Sequence, residues 1–313
     1  VTTSGDKISV CLLTYNHEHV IESTIRTILE QNIQGFEFVV SDDCSTDGTW
    51  GKIKSLAAND RRIIAVRTPC NMGMPGNTNY AVALTTRPYI ALLHHDDLYR
   101  QDLLEKWCAV MDRHSDVGYV FNPYGVFESD HVYDHPFKDE KLDGRWFLEK
   151  HLLPRWGCPV RGTALIRREA FLSIGGMREE FGLLADIDLW MRLARHFAVG
   201  YVAEPVITVR HDRPDYYPGI YSGSDWSWKR QRFLYEIHGT NREEYFRGFR
   251  RSVEMIKFRL RVTFENLKWL GYAVVRRKPV MLKQSGEGST RYELPVVKVV
   301  RTVLCPDATI RHS

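Results

Sequence analysis

Acidic residues stand together at three points of the chain: Asp42-Asp43 in "VVSDDCSTDGTW", Asp96-Asp97 in "LLHHDDLY", and Asp186 with Asp188 in "ADIDLWMRLA". Neighbouring carboxylates repel, so placing them at the ends of apolar runs costs energy unless something positive offsets it. Carboxylates gathered on one rim suit a hard divalent cation that bridges phosphate oxygens. For Asp96-Asp97 the plainer alternative is N-terminal capping of the next helix. Sharing a rim with Asp43 favours metal or nucleotide work.

Asp186 lies three and four residues before Leu189 and Trp190. It therefore heads the apolar face Leu189, Trp190, Leu193 and Phe197 of a helix, and is the candidate general base. Asp188 points elsewhere and is expected to be a structural acid paired with Arg192 at i+4, worth about a few tenths of a kcal/mol. His211 ends a strand just before a stretch rich in Pro, Gly and aromatics, and is kept as a metal or phosphate contact. His94, His95, His131, His135 and His151 lack ligand-like spacing and read as solvated or packing residues. The turn after the first strand, "TYNHEHV", has no glycine, which excludes a GxGxxG loop there, and no GxxxxGK[ST] loop occurs anywhere. A nucleotide bound here must be held by side chains and a metal.

The elements that position these residues alternate. Short β-branched runs at 7–15, 36–41, 62–68, 88–93 and 117–123 read as buried strands. Between them, helices are expected over 18–31, from Thr46-Asp47 to Ala58, over 76–86 and over 102–113. This pattern predicts an α/β fold, a mostly parallel central sheet with helices on both faces. Ligands of such sheets sit outside the carboxyl ends of the strands. That rule puts Thr14-Tyr15-Asn16, Asp42-Asp43, Asn71–Gly73 and His94–Asp97 on one rim. Residues 125–160, with weak periodicity, read as loops over it. Strand, helix and a Gly-Gly stop follow in 162–176, a helix in 186–197, a strand-like run in 199–211, and a mobile flap in 212–228.

The last part is helical. Phe246, Phe249, Val253, Ile256, Leu260, Phe264 and Leu267 form an apolar stripe, with Thr240 and Glu243 as a capping box at its start. After "QSGEGSTR", Val296, Val299, Val300, Val303 and Leu304 make a second, shorter stripe. The expected division is 1–228 for the α/β body and 229–313 for a helical, basic extension. Of the formal net charge of +4, residues 241–313 carry +9 and the rest −5. The basic residues avoid the body, which argues against a nucleic-acid-binding core. They suit work at an anionic surface. The polar start and the lack of a long apolar run predict a protein that is not exported and spans no bilayer by helix. The six cysteines form no CxxC pair and are expected to be reduced thiols.

The motifs "ISVCLLTYN", "FVVSDDCSTDGT", "NMGMPGNTN", "IALLHHDDLY", "RGTALIRREAFLSIGGM" and "ADIDLWMRLA" occur in the order and spacing of the family 2 glycosyltransferases, which the chain resembles over residues 7–211. The resemblance implies a GT-A fold and an inverting transfer from a nucleotide-sugar donor, UDP- or dTDP-linked, to a glycan or polyprenyl-linked acceptor, in bacterial surface-polysaccharide assembly. It implies that Thr14, Tyr15 and Asn16 line the base pocket, Asp43 binds the base, Asn71 and Gly73 lie near the nucleotide, Asp96 approaches the ribose, Asp97 holds Mg²⁺ or Mn²⁺, and Asp186 is the base. The chain departs from the family's common pattern at Cys44, His94 and Ala185, where a glycine, an acid and a glutamate are frequent. Competing readings are a sugar-nucleotide pyrophosphorylase, which needs a Gly-rich basic N-terminal loop that "LLTYNHEHV" does not supply, and a transferase-like scaffold without activity. A cytoplasmic protein, peripheral on the inner face of the membrane or paired with a second copy through its tail, is the corresponding expectation.

Overall fold

The computed structural model describes residues 4–135, 137–210, 224–276 and 290–304, with the side chains of 4 and 224–229 excepted. His211 and most of the expected flap, residues 212–223, lie outside them. The chain divides into two compact units, Val1–Tyr217 and Pro218–Ser313.

In the first unit strands and helices alternate as β1 (Ile8–Thr14), α1 (Ile21–Leu29), β2 (Glu37–Asp42), α2 (Thr49–Asn59), β3 (Ile63–Arg67), α3 (Gly73–Ala83) and β4 (Tyr89–His94). A short β5 (Leu98–Tyr99), α4 (Leu103–Arg113), β6 (Val117–Phe121), β7 (Tyr124–Val126), β8 (Val132–Tyr133), β9 (Lys141–Leu142) and a single-turn α5 (Gly144–Phe147) follow. Then come β10 (Ala164–Arg167), α6 (Arg168–Ser173), α7 (Ala185–His196), β11 (Ala198–Tyr201) and β12 (Ile207–Val209). The central sheet has the order β3-β2-β1-β4-β10-β6-β11-β9. Its first four strands are parallel, β10 runs antiparallel to both neighbours, β11 is parallel to β6, and β9 is antiparallel at the edge. A smaller sheet, β5-β12-β7-β8, stands apart from it.

Every residue of β1 is buried, as a strand covered on both faces requires. Ile8, Val10 and Leu12 share one core with Phe38 and Val40 of β2, Ile21, Ile25 and Ile28 of α1, Ile53 of α2, and Leu103, Leu104 and Trp107 of α4. Alternate residues face the other way. There Ser41 bonds the side chain of Asn77 in α3 at 2.6 Å, and Tyr119 of β6 packs on Trp190 of α7, ring centres 5.1 Å apart.

Two sequence expectations are corrected here. Residues 125–160 are not all loop, because α5 runs into a π turn at Leu148–Leu152. Asp143 caps that helix, its side chain accepting from Trp146 N at 2.7 Å; a helix of this length is too short to show periodicity. Residues 224–228, expected in the flap, open α8 (Ser224–Tyr245), so the expected division at 228/229 falls inside that helix.

The second unit holds α8, α9 (Gly248–Val275) and α10 (Pro295–Leu304). Thr240 and Glu243 sit within α8 and form no capping box. The Glu243 carboxylate instead meets Arg291 and Tyr292 at 3.5 and 3.3 Å, and Thr240 Oγ1 lies 3.4 Å from the Tyr292 hydroxyl. The chain breaks between α8 and α9 at Gly248, with φ 51°, a conformation favouring glycine. Among the described residues no helix is long and apolar enough to cross a membrane. None of the five described cysteines is in a disulfide.

Candidate active site

The parallel register brings the strand ends into one row. Thr14 pairs with Asp42, Asp42 with Arg67, and Leu13 with His94. Strands lie about 4.8 Å apart, so the ends of β3, β2, β1 and β4 form one continuous rim.

The two acids at residues 42 and 43 do different work. Asp42 is fully buried; its Oδ2 meets Arg67 Nε at 3.1 Å and accepts from Ser45 N at 3.1 Å. It holds the turn in which Cys44 adopts φ 60°, the left-handed region that explains why glycine is common there. Asp43 turns toward the neighbouring loop, its Oδ1 accepting from Met72 N at 2.8 Å and from Thr68 Oγ1 at 3.0 Å, while its own N–H donates to Thr14 O. Burial pushes both carboxyls above the ordinary range. Asn16, at φ 57°, ties the end of β1 to the same turn, its Oδ1 accepting from Thr46 N at 2.8 Å. Asn71 Oδ1 accepts from Gly73 N at 3.0 Å, and Gly73 opens α3 at φ 70°. Tyr15 is half-buried beside them, and the buried Thr14 hydroxyl has no hydrogen-bond partner.

Past β4, the turn carrying Asp96 and Asp97 is clamped from several sides. The Tyr99 hydroxyl lies 2.8 Å from both the N and the O of His94, Thr24 Oγ1 lies 2.9 Å from His95 O, and His95 Nδ1 bonds Leu13 O at 3.0 Å. Asp97 is fully buried, and its Oδ2 has no hydrogen-bond partner. Around it stand His94 Nδ1 at 3.9 Å and Arg161 Nη2, 3.5 Å from Oδ1. Candidate ligand atoms of His94, Asp96 and Asp97 all lie within 4.8 Å of one another. An orphaned, buried carboxylate oxygen within such a set fits a divalent cation. Burial raises the Asp97 carboxyl above its usual range, and Arg161 opposes the rise. His94, expected to be a solvated or packing residue, instead belongs to this cluster; desolvation lowers its ring to about 4, leaving it neutral and able to ligate. His17, which the sequence reading left unassigned, stacks on His95 with ring centres 3.3 Å apart.

Asp186 reaches the cluster from the first turn of α7. A Cβ built on Gly162 would lie 2.5 Å from His94 Nε2 and 3.2 Å from Asp186 Oδ2. The missing side chain of Gly162 is thus what lets imidazole and carboxylate approach across it. Burial raises the Asp186 carboxyl to about 6. Helix α7 is buried on nearly every side, so Asp188, expected to point away from the apolar face, lies deeper than Asp186. Asp188 does pair with Arg192, at 2.7 Å, but as a buried network: Arg178 approaches its other oxygen at 3.6 Å, and Arg192 also donates to Ile174 O and Gly176 O.

Arg161 carried no role in the sequence reading. The signal was its place just before β10, whose direction a short apolar run does not reveal. Since β10 is antiparallel, with Ala164 opposite Leu92, its beginning lies at the rim where β4 ends. A cavity of about 280 Å³ between Lys106, Arg113, Glu140 and Glu204 includes none of the rim acids.

A mostly parallel sheet with acids converging at the carboxyl ends of its strands is an α/β architecture that receives its ligand at that rim, and the chemistry done there is set by the site and not by the fold. The profile of Glycosyl transferase family 2 matches residues 9–175. EpsE of Bacillus subtilis (strain 168), named a glycosyltransferase, is 30% identical over 75% of this chain and 79% of its own. The Escherichia coli protein WfgD, named a UDP-Glc:α-D-GlcNAc-diphosphoundecaprenol β-1,3-glucosyltransferase, is 27% identical over 40% of this chain and 48% of its own. In fold, the chain is similar to residues 1–349 of TarS from S. aureus in complex with UDP-GlcNAc, with TM-score 0.65 and 17% identity over 95% of this chain and 86% of that one. The chain belongs to glycosyl transferase family 2.

Proposed function

We propose that this glycosyltransferase moves a sugar from a uridine or thymidine diphosphate donor to an acceptor hydroxyl with inversion, in the assembly of a bacterial surface polysaccharide. One observation carries the reading: Asp186 and His94 flank Gly162, and His94 stands beside Asp97 with its orphaned oxygen. A base and a candidate metal site therefore face one another across a space that a single methyl group would fill.

In this reading Thr14, Tyr15, Asn16 and Asp43 receive the base, Asn71 and Gly73 border the nucleotide, and Asp96 approaches the ribose. His94, Asp96 and Asp97 would hold Mg²⁺ or Mn²⁺, which when bound neutralises the negative charge growing on the leaving diphosphate. Arg161 adds a fixed positive charge at the same point. Asp186 takes the proton from the acceptor hydroxyl as its oxygen attacks the anomeric carbon from the face opposite the leaving group, and a single displacement inverts that carbon. A lipid-linked sugar as acceptor is supported by the substrate in the name of WfgD; a UDP-linked donor is supported by that name and by the ligand of the TarS complex.

The test is a panel of UDP-, dTDP- and GDP-sugars assayed for nucleotide release with and without Mn²⁺. Metal-stimulated release is expected from a uridine or thymidine donor. Asp186→Asn is expected to lower transfer by about 10²–10⁴-fold, the range of a general base, with donor affinity unchanged. Absence of release from every donor, or full turnover by the variant, would overturn the proposal.

A further inference from the structure

The apolar stripe that the sequence marks on α9 is not the face the helix buries. Phe258, Val262, Asn266, Leu270 and Ala273 are buried, whereas Phe249, Ile256, Leu260 and Phe264 are 85%, 59%, 55% and 67% exposed. At about 100° per residue the four exposed side chains fall within an arc of about 80°. Arg250, Lys257, Arg261 and Lys268 form a row beside that arc, and the exposed Arg259 lies about 60° beyond its other edge. The acids of α9, Glu254 and Glu265, lie about 120° or more from the centre of the stripe, and Lys257 pairs with Glu254 at 2.9 Å. Helix α10 also leaves apolar side chains outside, with Val296, Val299 and Val303 exposed within an arc of about 60° and Val297 and Arg301 turned inward. Arg301 is held there by Glu293 at 2.5 Å.

A helix with large exposed apolar groups beside a row of cations is a form that lies in a bilayer interface, rings and alkyl chains among the acyl chains and cations at the headgroups. A second copy of this chain packed antiparallel on the face would set the cationic row against its own equivalent, a like-charge contact that costs energy. We infer that the exposed face of α9, assisted by α10, docks on an anionic lipid bilayer. The inference does not depend on the catalytic reading, although a lipid-linked acceptor would make such docking useful.

The experiment is cosedimentation of the full chain with vesicles of phosphatidylcholine alone or containing about one-third phosphatidylglycerol, with sedimentation velocity of the protein alone in parallel. Binding is expected only to the anionic vesicles and should weaken in high salt. Arg250→Gln/Lys257→Gln/Lys268→Gln should lower partitioning by about 100-fold, at roughly fivefold per cation. Phe249→Ser/Ile256→Ser/Leu260→Ser should lower it at least as far. UDP binding by both variants reports an intact catalytic body, and its absence in the wild type would count against the proposed function without touching the vesicle result. No sedimentation with anionic vesicles, equal sedimentation with neutral ones, or a dimer that the serine variants dissociate would overturn the inference, the last by showing that a second copy occupies the face.

Discussion

Asp42 and Asp43 tolerate adjacency because their carboxylates are committed to different partners, Arg67 and the 43–45 turn for one, Thr68 and Met72 N for the other. Among the described residues Asp186 is held by no such ion pair, and burial, opposed by backbone N–H groups at the start of α7 and by Arg161, lifts it to about 6. A base works only when ionised, so kcat/KM should fall as pH drops through about 6, with the slope of one proton, in a pH–rate profile. For stability the sign is opposite. The folded chain keeps the proton at pH values where the unfolded carboxyl has already lost it, so ionisation costs stability as pH rises through that window. Asp186→Asn is accordingly expected to raise the urea midpoint at neutral pH while removing transfer. Gly162→Ala should lower transfer by about 100-fold, the order expected when reacting groups are displaced by an ångström, since its Cβ would press on both His94 and Asp186. Arg161→Leu should weaken UDP binding tenfold or more, the order of a lost charge-assisted hydrogen bond, measured by calorimetry with the fold checked by circular dichroism. The acids of the rim were legible in the sequence because each follows an apolar run. Arg161, Gly162 and the place of His94 beside Asp96 and Asp97 were not, because each depends on which strands become neighbours.

At the scale of elements, α7 carries Asp186, the proposed base, and must be held in place. Its anchor is the buried Asp188, gripped by Arg192, which also binds the carbonyls of Ile174 and Gly176, and approached by Arg178. The i,i+4 spacing made the Asp188–Arg192 pair readable, but not its burial, and burial changes the energy. Asp188→Ala leaves the Arg192 charge unpaired in the interior and should cost about 3–5 kcal/mol, against a fraction of one for the same pair on a surface; urea denaturation measures it. The alternation of β1 to α4 was legible from periodicity, since each element is long enough to show its repeat. Strand direction was not, and β10 is the consequence. The four-residue pattern at Thr240–Glu243 resembled a helix start only because so short a motif carries no information about whether helix already precedes it.

The whole molecule separates its charges as well as its units. The cations that give residues 241–313 a net charge of +9 include the row beside the exposed stripe of α9, while the acids proposed for chemistry gather on the sheet rim of the first unit. Hydrophobic spacing located both apolar stripes in the second unit, yet spacing alone cannot say which of two stripes on one helix is buried. Phe258 and Val262 won that place in α9, and Phe249 and Phe264 were left outside. In the proposed reaction the rim is one site, in which a nucleotide and a cation meet at Asp97. Calorimetric titration of UDP into the full chain tests this most directly. With Mn²⁺ present the wild type and Asp186→Asn should bind alike, while EDTA or Asp97→Asn should weaken binding by about 100-fold, the order of a lost contact to a buried charge. If Asp97→Asn bound UDP with Mn²⁺ as tightly as the wild type, the central claim would be contradicted.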